Sequence, residues 1–347
     1  MTLLILTNQL DLGGAERVAL RQSDVLRRAG WRVLVAATPG ALTDEVHPKI
    51  GVAALPPPTP AQLIPSAVQL RRMRRLHGVR VVLAHSARAV LLARLAGWPR
   101  DQTFTVAHGW APARLNRITP LLSLAGHVFA VSDELRAALV HRGLCDARVS
   151  WLPNLPPTRT APQPHSRSRL RHALGTPLTA SVAITVARLE PQKAPERAIE
   201  IAWRCPQTWF WWVGDGSLGP RLRGARLPPN LRLLGPRRDV DDLLGAADIY
   251  LHTSDWEGHC LAQLEAMRAG LPLVTTRVFG LRPLMDAHPD LVFAPQDVCG
   301  LAGAVRALSI DGGARAAIGH ELRARLASFS RQQDPDGRLC RTLGTPR

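Results

Sequence analysis

Short apolar runs alternate along the chain with segments whose apolar positions recur every three or four residues. In the first half LLILT (3–7), WRVLVAAT (31–38), VRVVLAH (79–85), TFTVAH (103–108), HVFAVS (127–132) and VSWLPN (149–154) predict buried strands. Between the first two, Val18, Leu20, Val25 and Leu26 mark a helix from about Ala15 to Ala29, stopped by Gly30. AVQLRRMRRLHG (67–78) predicts another helix, and ELRAALVHRG (134–143) a third, capped by Ser132 or Asp133. The second half repeats the scheme. SVAITVAR (181–188), QTWFWWVGDG (207–216), 231–234, DIYLHT (248–253), LPLVTT (271–276) and LVFAP (291–295) predict strands. Helices are expected at 196–204, 239–247, ahead of LPLVTT, and at 312–329. Residues 41–65 are rich in proline and read as surface connection. Residues 155–177 lose the alternation and begin with prolines, Ser/Thr and Arg, so a linker is expected at 157–177, with RSRLRHALG (167–175) a short helix opening the next domain. The expected organisation is α/β: a Rossmann-like domain at 1–156, a second at 178–329, each a doubly wound parallel sheet facing a cleft, and a poorly defined tail at 330–347.

One stretch carries most of the chemistry, TSDWEGHCLAQLEAMRAGLPLVTT (253–276). Glu257 precedes the periodic positions Leu261, Leu264 and Met267, and Glu265 lies among them; Gly270 and Pro272 close the segment. The pattern is loop, helix, glycine stop, strand. Two carboxylates, one at a helix entrance and one within it, can hold two parts of one long ligand. Free amides at the helix start, near Gly258 and His259, add donors and partial positive charge. A hydroxyl-rich anionic ligand such as a sugar nucleotide suits that arrangement. Gly13-Gly14 follows the first strand, where a parallel sheet binds ligands and a helix offers its N-terminus to phosphate, though the loop is not a GxGxxG and equally fits an ordinary turn. His85 and His108 end equivalent strands, where the cleft is expected, so either can be a cleft residue or a structural one, with His108-Gly109 the better candidate.

Lys193 stands out by rarity: the chain has only Lys49 and Lys193 among 44 basic residues. A compact ammonium fits a phosphate pocket differently from a guanidinium, and Arg188, at its strand end, joins it to offset a diphosphate leaving group. Asp239-Val240-Asp241-Asp242 is read as helix capping rather than metal binding. Glu257 and Glu265 as a glycosidase pair find no support, because that chemistry needs no Lys/Arg diphosphate site.

Composition narrows the picture. The 347 residues suffice for two domains, and 46% apolar content supports full cores. No run is long enough to suggest a membrane span, and the apolar start lacks a basic leader, so it is read as a strand. The five cysteines are scattered, form no metal pair or disulfide framework, and fit a reducing compartment. The formal charge of +17 is uneven: residues 1–170 hold 22 basic against 9 acidic residues, and 171–347 hold 22 against 18. No zinc finger or aromatic RNA-binding signature accompanies it. A surface for anionic lipid or an anionic acceptor fits better, with Arg71, Arg72, Arg74 and Arg75 on a candidate membrane-surface helix.

LGGAER (12–17), VARLEPQKAPERAIEIA (186–202), WVGDG (212–216), AADIYLHTSDWEGHCLAQLEAMRAGLPLVTT (246–276) and the histidine of VAHG together resemble glycosyltransferase family 4. The resemblance runs to about residue 308 and is most specific in the ExxxxxxxE spacing with AMRAGLPLV behind it. It implies a GT-B fold and retaining sugar transfer from a UDP- or GDP-type nucleotide sugar to a glycan or lipid-linked acceptor in cell-surface polysaccharide or glycolipid synthesis. No metal or other cofactor and no nucleic acid is implied. Localisation would be cytoplasmic, peripheral at the inner membrane face. Catalytic residues would be Glu257, His108, Arg188 and Lys193. Donor contacts would come from Gly13, Gly14, Gly214, Gly258, His259, Cys260, Leu261 and Glu265, the last on the ribose. The C-terminal helix would return to the first domain. Gly258-His259-Cys260 and 279–283 depart from the family pattern. The alternatives are a nucleotide-sugar 2-epimerase on the same fold and a basic nucleic-acid-binding protein.

Overall fold

The computed structural model describes residues 1–109, 111–156 and 166–344. The chain forms two compact units, 1–155 with 333–347, and 156–332.

The first unit is built on seven strands, β1 (Thr2–Gln9), β2 (Arg32–Thr38), β3 (Gly51–Ala54), β4 (Val79–Ala84), β5 (Thr103–Ala107), β6 (His127–Ala130) and β7 (Val149–Trp151). Their order is β3-β2-β1-β4-β5-β6-β7, with every pairing parallel. Leu3, Leu4, Ile5 and Leu6 are all fully buried, as a central parallel strand covered on both faces requires. The second unit has six: β8 (Ser181–Val186), β9 (Thr208–Val213), β10 (Leu231–Leu233), β11 (Ile249–His252), β12 (Leu273–Thr276) and β13 (Val292–Phe293). Their order is β10-β9-β8-β11-β12-β13, again parallel throughout. In both sheets the strand order reverses beside the first strand, between β1 and β4 and between β8 and β11. Those are the two crevices where such sheets bind ligands.

The 41–65 stretch and the tail differ from expectation. The proline-rich 41–65 stretch contains β3, an edge strand whose short GVAA run is mostly exposed. The expected linker lies partly outside the described residues (157–165). Its later part holds the helix Ser166–Ala173 of the second unit, where a short helix was expected. Arg171 on this helix is fully buried; its guanidinium donates to the carbonyls of Ala246, Leu178 and Ala180 and to the Asp248 carboxylate. The helix expected at 312–329 is Gly312–Gln333, and the tail beyond it is not irregular, since Pro335–Leu343 is a further helix within the first unit. There Arg21 makes a two-bond fork to Asp336, at 2.7 Å each, and Arg338 donates to the Trp151 carbonyl.

Candidate functional site

The β8/β11 crevice gathers the second unit's chemistry. After β8 the chain leaves through Ala187 and Arg188. The Trp212 indole donates to the Ala187 carbonyl at 3.0 Å. Gly214, at φ +127°, comes so close that a Cβ there would lie 2.2 Å from that same oxygen. The sequence marked Gly214 as a donor contact; its backbone conformation and this approach already account for a glycine there. Arg188 itself is exposed.

Lys193 ends the short turn Pro191–Lys193 and is followed by Ala194 at φ +46°, ψ +59°. Left-handed backbone costs a residue with a Cβ about 1–2 kcal/mol. The surroundings hold it there. The Thr253 hydroxyl donates to the Lys193 carbonyl (2.8 Å), the Asp255 amide to the Gln192 carbonyl (2.9 Å), and the Gln192 side chain to the Trp256 carbonyl (2.9 Å). Arg197 donates to the Thr253 carbonyl and to Asp255. Two loops, 190–194 and 253–257, are thereby locked together.

Within that frame the Lys193 ammonium donates to Glu257 Oε1 at 2.5 Å, with the two side chains 13% and 9% exposed. The Ser254 hydroxyl donates to the same oxygen (2.8 Å), and the Thr276 hydroxyl holds the Ser254 carbonyl (2.6 Å). Burial works against both charges, yet the mutual attraction prevails: the Lys193 pKa is raised and the Glu257 pKa lowered. A glycosidase acid needs a raised pKa, so Glu257 is set against that role. His252, ending β11, places Nε2 3.5 Å from Glu257 Oε1. Burial lowers its pKa to about 4; the nearby carboxylate only partly opposes this.

The helix after Glu257 spans Leu261–Ala269, with Gly270 left-handed at its end, as the periodicity predicted. Cys260 is its N-cap residue, its thiol pushed up to about 12 by burial and then by the Glu257 charge. Leu261 and Glu265 are buried at 7% and 5% exposure. Tyr250 of β11 lies in the electrostatic field of Cys260, Glu257 and Glu265; burial first, then these groups, raise its pKa well above 10. His259 faces inward. Its ring meets Phe329 edge-on at 6.3 Å, and a Cβ on Gly280 would lie 2.7 Å from it. Burial lowers its pKa to about 4. His259, expected among the donor contacts, is thus buried with its ring beside Phe329, directly after buried Gly258. Asp239 and Asp241 accept from Arg237 and Arg268, so the expected side-chain cap by Asp239 is not made.

In the first unit the corresponding strand ends bring His85 and His108 together. Their rings stack at 5.3 Å, with Nδ1 of His85 and Nε2 of His108 3.1 Å apart. Burial lowers His108 to about 4, and burial with the neighbouring ring holds His85 well below the usual histidine range. Ser86 caps the next helix and donates to Asn8 of β1 (3.0 Å). Gly13 caps the helix Gly14–Arg28; its φ of −138° is open to any residue, and a Cβ would meet only the flexible end of Glu16. Sequence reasoning missed Tyr250, His252 and Ser254. The rule that singled out His85 and His108, a histidine ending a parallel strand, applies equally to His252.

Residues 12–155 match the family model described as Glycosyltransferase Family 4, and residues 180–311 the model described as Glycosyl transferases group 1. The chain belongs to glycosyltransferase family 4. It is 28% identical over 313 residues to the UDP-Gal:alpha-D-GlcNAc-diphosphoundecaprenol alpha-1,3-galactosyltransferase of Escherichia coli, covering 80% of each chain. It is 25% identical to a GDP-mannose-dependent alpha-mannosyltransferase of Mycobacterium tuberculosis, covering 82% of this chain and 81% of that one. Among solved structures, Anabaena Alr3699/HepE in complex with UDP-glucose superposes with a TM-score of 0.82 at 22% identity, over 98% of this chain and 99% of that one, which establishes the GT-B fold. The family 4 chain is thus a glycosyltransferase. Neither the epimerase nor the nucleic-acid alternative has support in these matches.

Proposed function

We propose that this glycosyltransferase transfers a sugar, with retention, from a UDP- or GDP-type nucleotide sugar to a glycan or lipid-linked acceptor of the cell surface. The observation that carries the reading is the buried Lys193–Glu257 pair at the mouth of the β8/β11 crevice, with Glu265 one helix further in. An ammonium has three donors, and Glu257 takes one. The others, with Arg188, serve the diphosphate and stabilise the charge that grows on it as the glycosidic bond breaks. With two cations for the diphosphate, that step needs no metal. Glu257, kept ionised, accepts from sugar hydroxyls, and Glu265 accepts from the ribose. His108, neutral near pH 7, acts as a hydrogen-bonding group rather than a cation. It and Gly13-Gly14 keep the roles the resemblance implies. The names of the relatives, a galactosyltransferase for a diphosphoundecaprenol acceptor and a mannosyltransferase using GDP-mannose, support this donor and acceptor class.

The test is titration calorimetry with UDP and GDP, followed by a donor-hydrolysis panel. Glu265→Ala should abolish binding of whichever nucleotide the wild type takes; unchanged affinity removes the ribose assignment.

A peripheral membrane location is part of the same reading. The helix Leu63–His77 buries Ser66, Ala67, Leu70 and Met73, and turns outward Ile64, Val68 and Leu76, exposed by 61–69%, beside exposed Arg71, Arg72 and Arg75. Apolar and basic groups on one face suit an anionic interface. Arg74 is spent elsewhere, donating to the Gly97 carbonyl and lying over the Trp98 ring. No described helix is long and apolar enough to cross a membrane. Vesicles containing phosphatidylglycerol should pull down the wild type, and Arg71→Glu with Arg72→Glu and Arg75→Glu should lose that binding. Equal sedimentation of both would refute it.

A further inference from the structure

We propose that His252, Glu257 and Cys260 form a binding site for a borderline-soft divalent cation, zinc in the first place, that antagonises the donor. The three residues come from one strand end, the following loop and a helix cap. One ligand atom from each lies within 4.8 Å of the others. They form the one such group of three among the described residues.

The second observation is His252 itself. It is 1% exposed, and neither ring nitrogen has a hydrogen-bond partner. A neutral imidazole carries one N–H and one lone pair, and burying both unpaired is costly. The Glu257 carboxylate is the nearest charged group, yet its contacts go to Lys193 and Ser254. A metal on the ring nitrogen facing Glu257 would satisfy that lone pair.

The donor set selects the ion. Imidazole nitrogen, carboxylate oxygen and thiolate sulfur suit zinc, whereas magnesium and calcium take oxygen ligands. Bonds of about 2.0–2.3 Å require the three atoms to close somewhat from their present spread. Three protein ligands leave a fourth position open. Binding has two costs that fix its signature. The Cys260 thiol must release its proton to solvent as the sulfur–metal bond forms. The metal's charge also repels the Lys193 ammonium that shares the Glu257 carboxylate. The antagonism rests on the donor reading above, in which Glu257 and Lys193 hold the nucleotide sugar; the metal site does not.

The probes are Zn2+ and Co2+, chelator-buffered, on the whole protein. The wild type should bind one equivalent with proton release, and Co2+ should show a thiolate-to-metal charge-transfer band in the near ultraviolet. Cys260→Ser should remove the band, and His252→Gln should weaken affinity at least tenfold. Lys193→Gln should tighten binding, since it removes the competing cation; a merely structural cluster would not do that. Far-ultraviolet dichroism confirms folding of each variant. No binding by wild type at micromolar free metal, a band that survives Cys260→Ser, or affinity indifferent to His252→Gln overturns the site. If metal binds as described but does not raise the apparent Kd for the nucleotide sugar, the site stands and the donor assignment of Glu257 falls.

Discussion

Replacing Lys193 with methionine isolates the value of the pair at the centre of the second unit. The two side chains are 13% and 9% exposed, so solvent screens them little. At an effective dielectric of about 20, unit charges about 4 Å apart attract by about 4 kcal/mol. Desolvation consumes most of that gain while both partners are present. Removing one leaves the other charge buried, which typically costs about 3–5 kcal/mol. Ser254 still donates to Glu257, so we expect the lower end, about 3 kcal/mol. The measurement is a urea series followed by pulsed hydrogen exchange on β8 and β11, which reports the second unit alone. The decisive comparison is a double-mutant cycle. Glu257→Gln placed on Lys193→Met should recover about 2 kcal/mol, because the orphaned charge is gone. Lys193→Arg keeps the charge but brings a planar fork into a space fitted to an ammonium, and should slow transfer at least tenfold. Additivity of the two neutral substitutions within about 0.5 kcal/mol would refute the coupling, and wild-type turnover in Lys193→Arg would refute the argument from shape.

Two further outcomes follow from local geometry. Ala194→Gly should leave stability unchanged or raise it by up to about 1 kcal/mol in urea denaturation, because relief of the left-handed strain outweighs the extra freedom of an unfolded glycine; a loss above 1 kcal/mol would mean the methyl group packs. The His85–His108 pair should make the first unit acid-labile. The His108 pKa falls from 6.5 to about 4 on folding, so the folded state binds fewer protons; its stabilisation is complete above about pH 6.5 and is lost as pH falls towards 4. Between pH 7.5 and pH 5 this group alone should cost about 2 kcal/mol in urea unfolding, and His108→Gln should flatten the dependence; an unchanged slope in that variant would refute it.

Twelve of the thirteen strands were legible as apolar runs, the central ones most plainly, because a parallel strand buried on both faces tolerates little else. β3 was not: its short run GVAA opens on a glycine and leads into prolines 56–58, which read as surface connection. The helix Ala87–Leu95 escaped for the opposite reason: five of its nine residues are buried and its apolar positions show no stripe. Pro335–Leu343 was hidden by the weak pattern around it, although Asp334 caps it. In the site, glutamate spacing and lysine rarity led to Glu257, Glu265 and Lys193. Their mutual contact was not readable, since 64 residues separate Lys193 from Glu257. The inward turn of His259 was equally hidden: it depends on Phe329 and Gly280, distant in the chain.

The helix Pro335–Leu343 has a bearing on biosynthesis. It follows the entire second unit in the chain, yet its buried Leu339 and Pro335 pack beside Val18, Gln22 and Leu152 of the first. A ribosome delivers it only after the whole of the second unit. Until then the first unit carries an uncovered apolar strip, and its Arg21 lacks the Asp336 fork. The first unit is therefore completed only after the second has been made, and a nascent chain stalled before Gln333 offers that strip to chaperones.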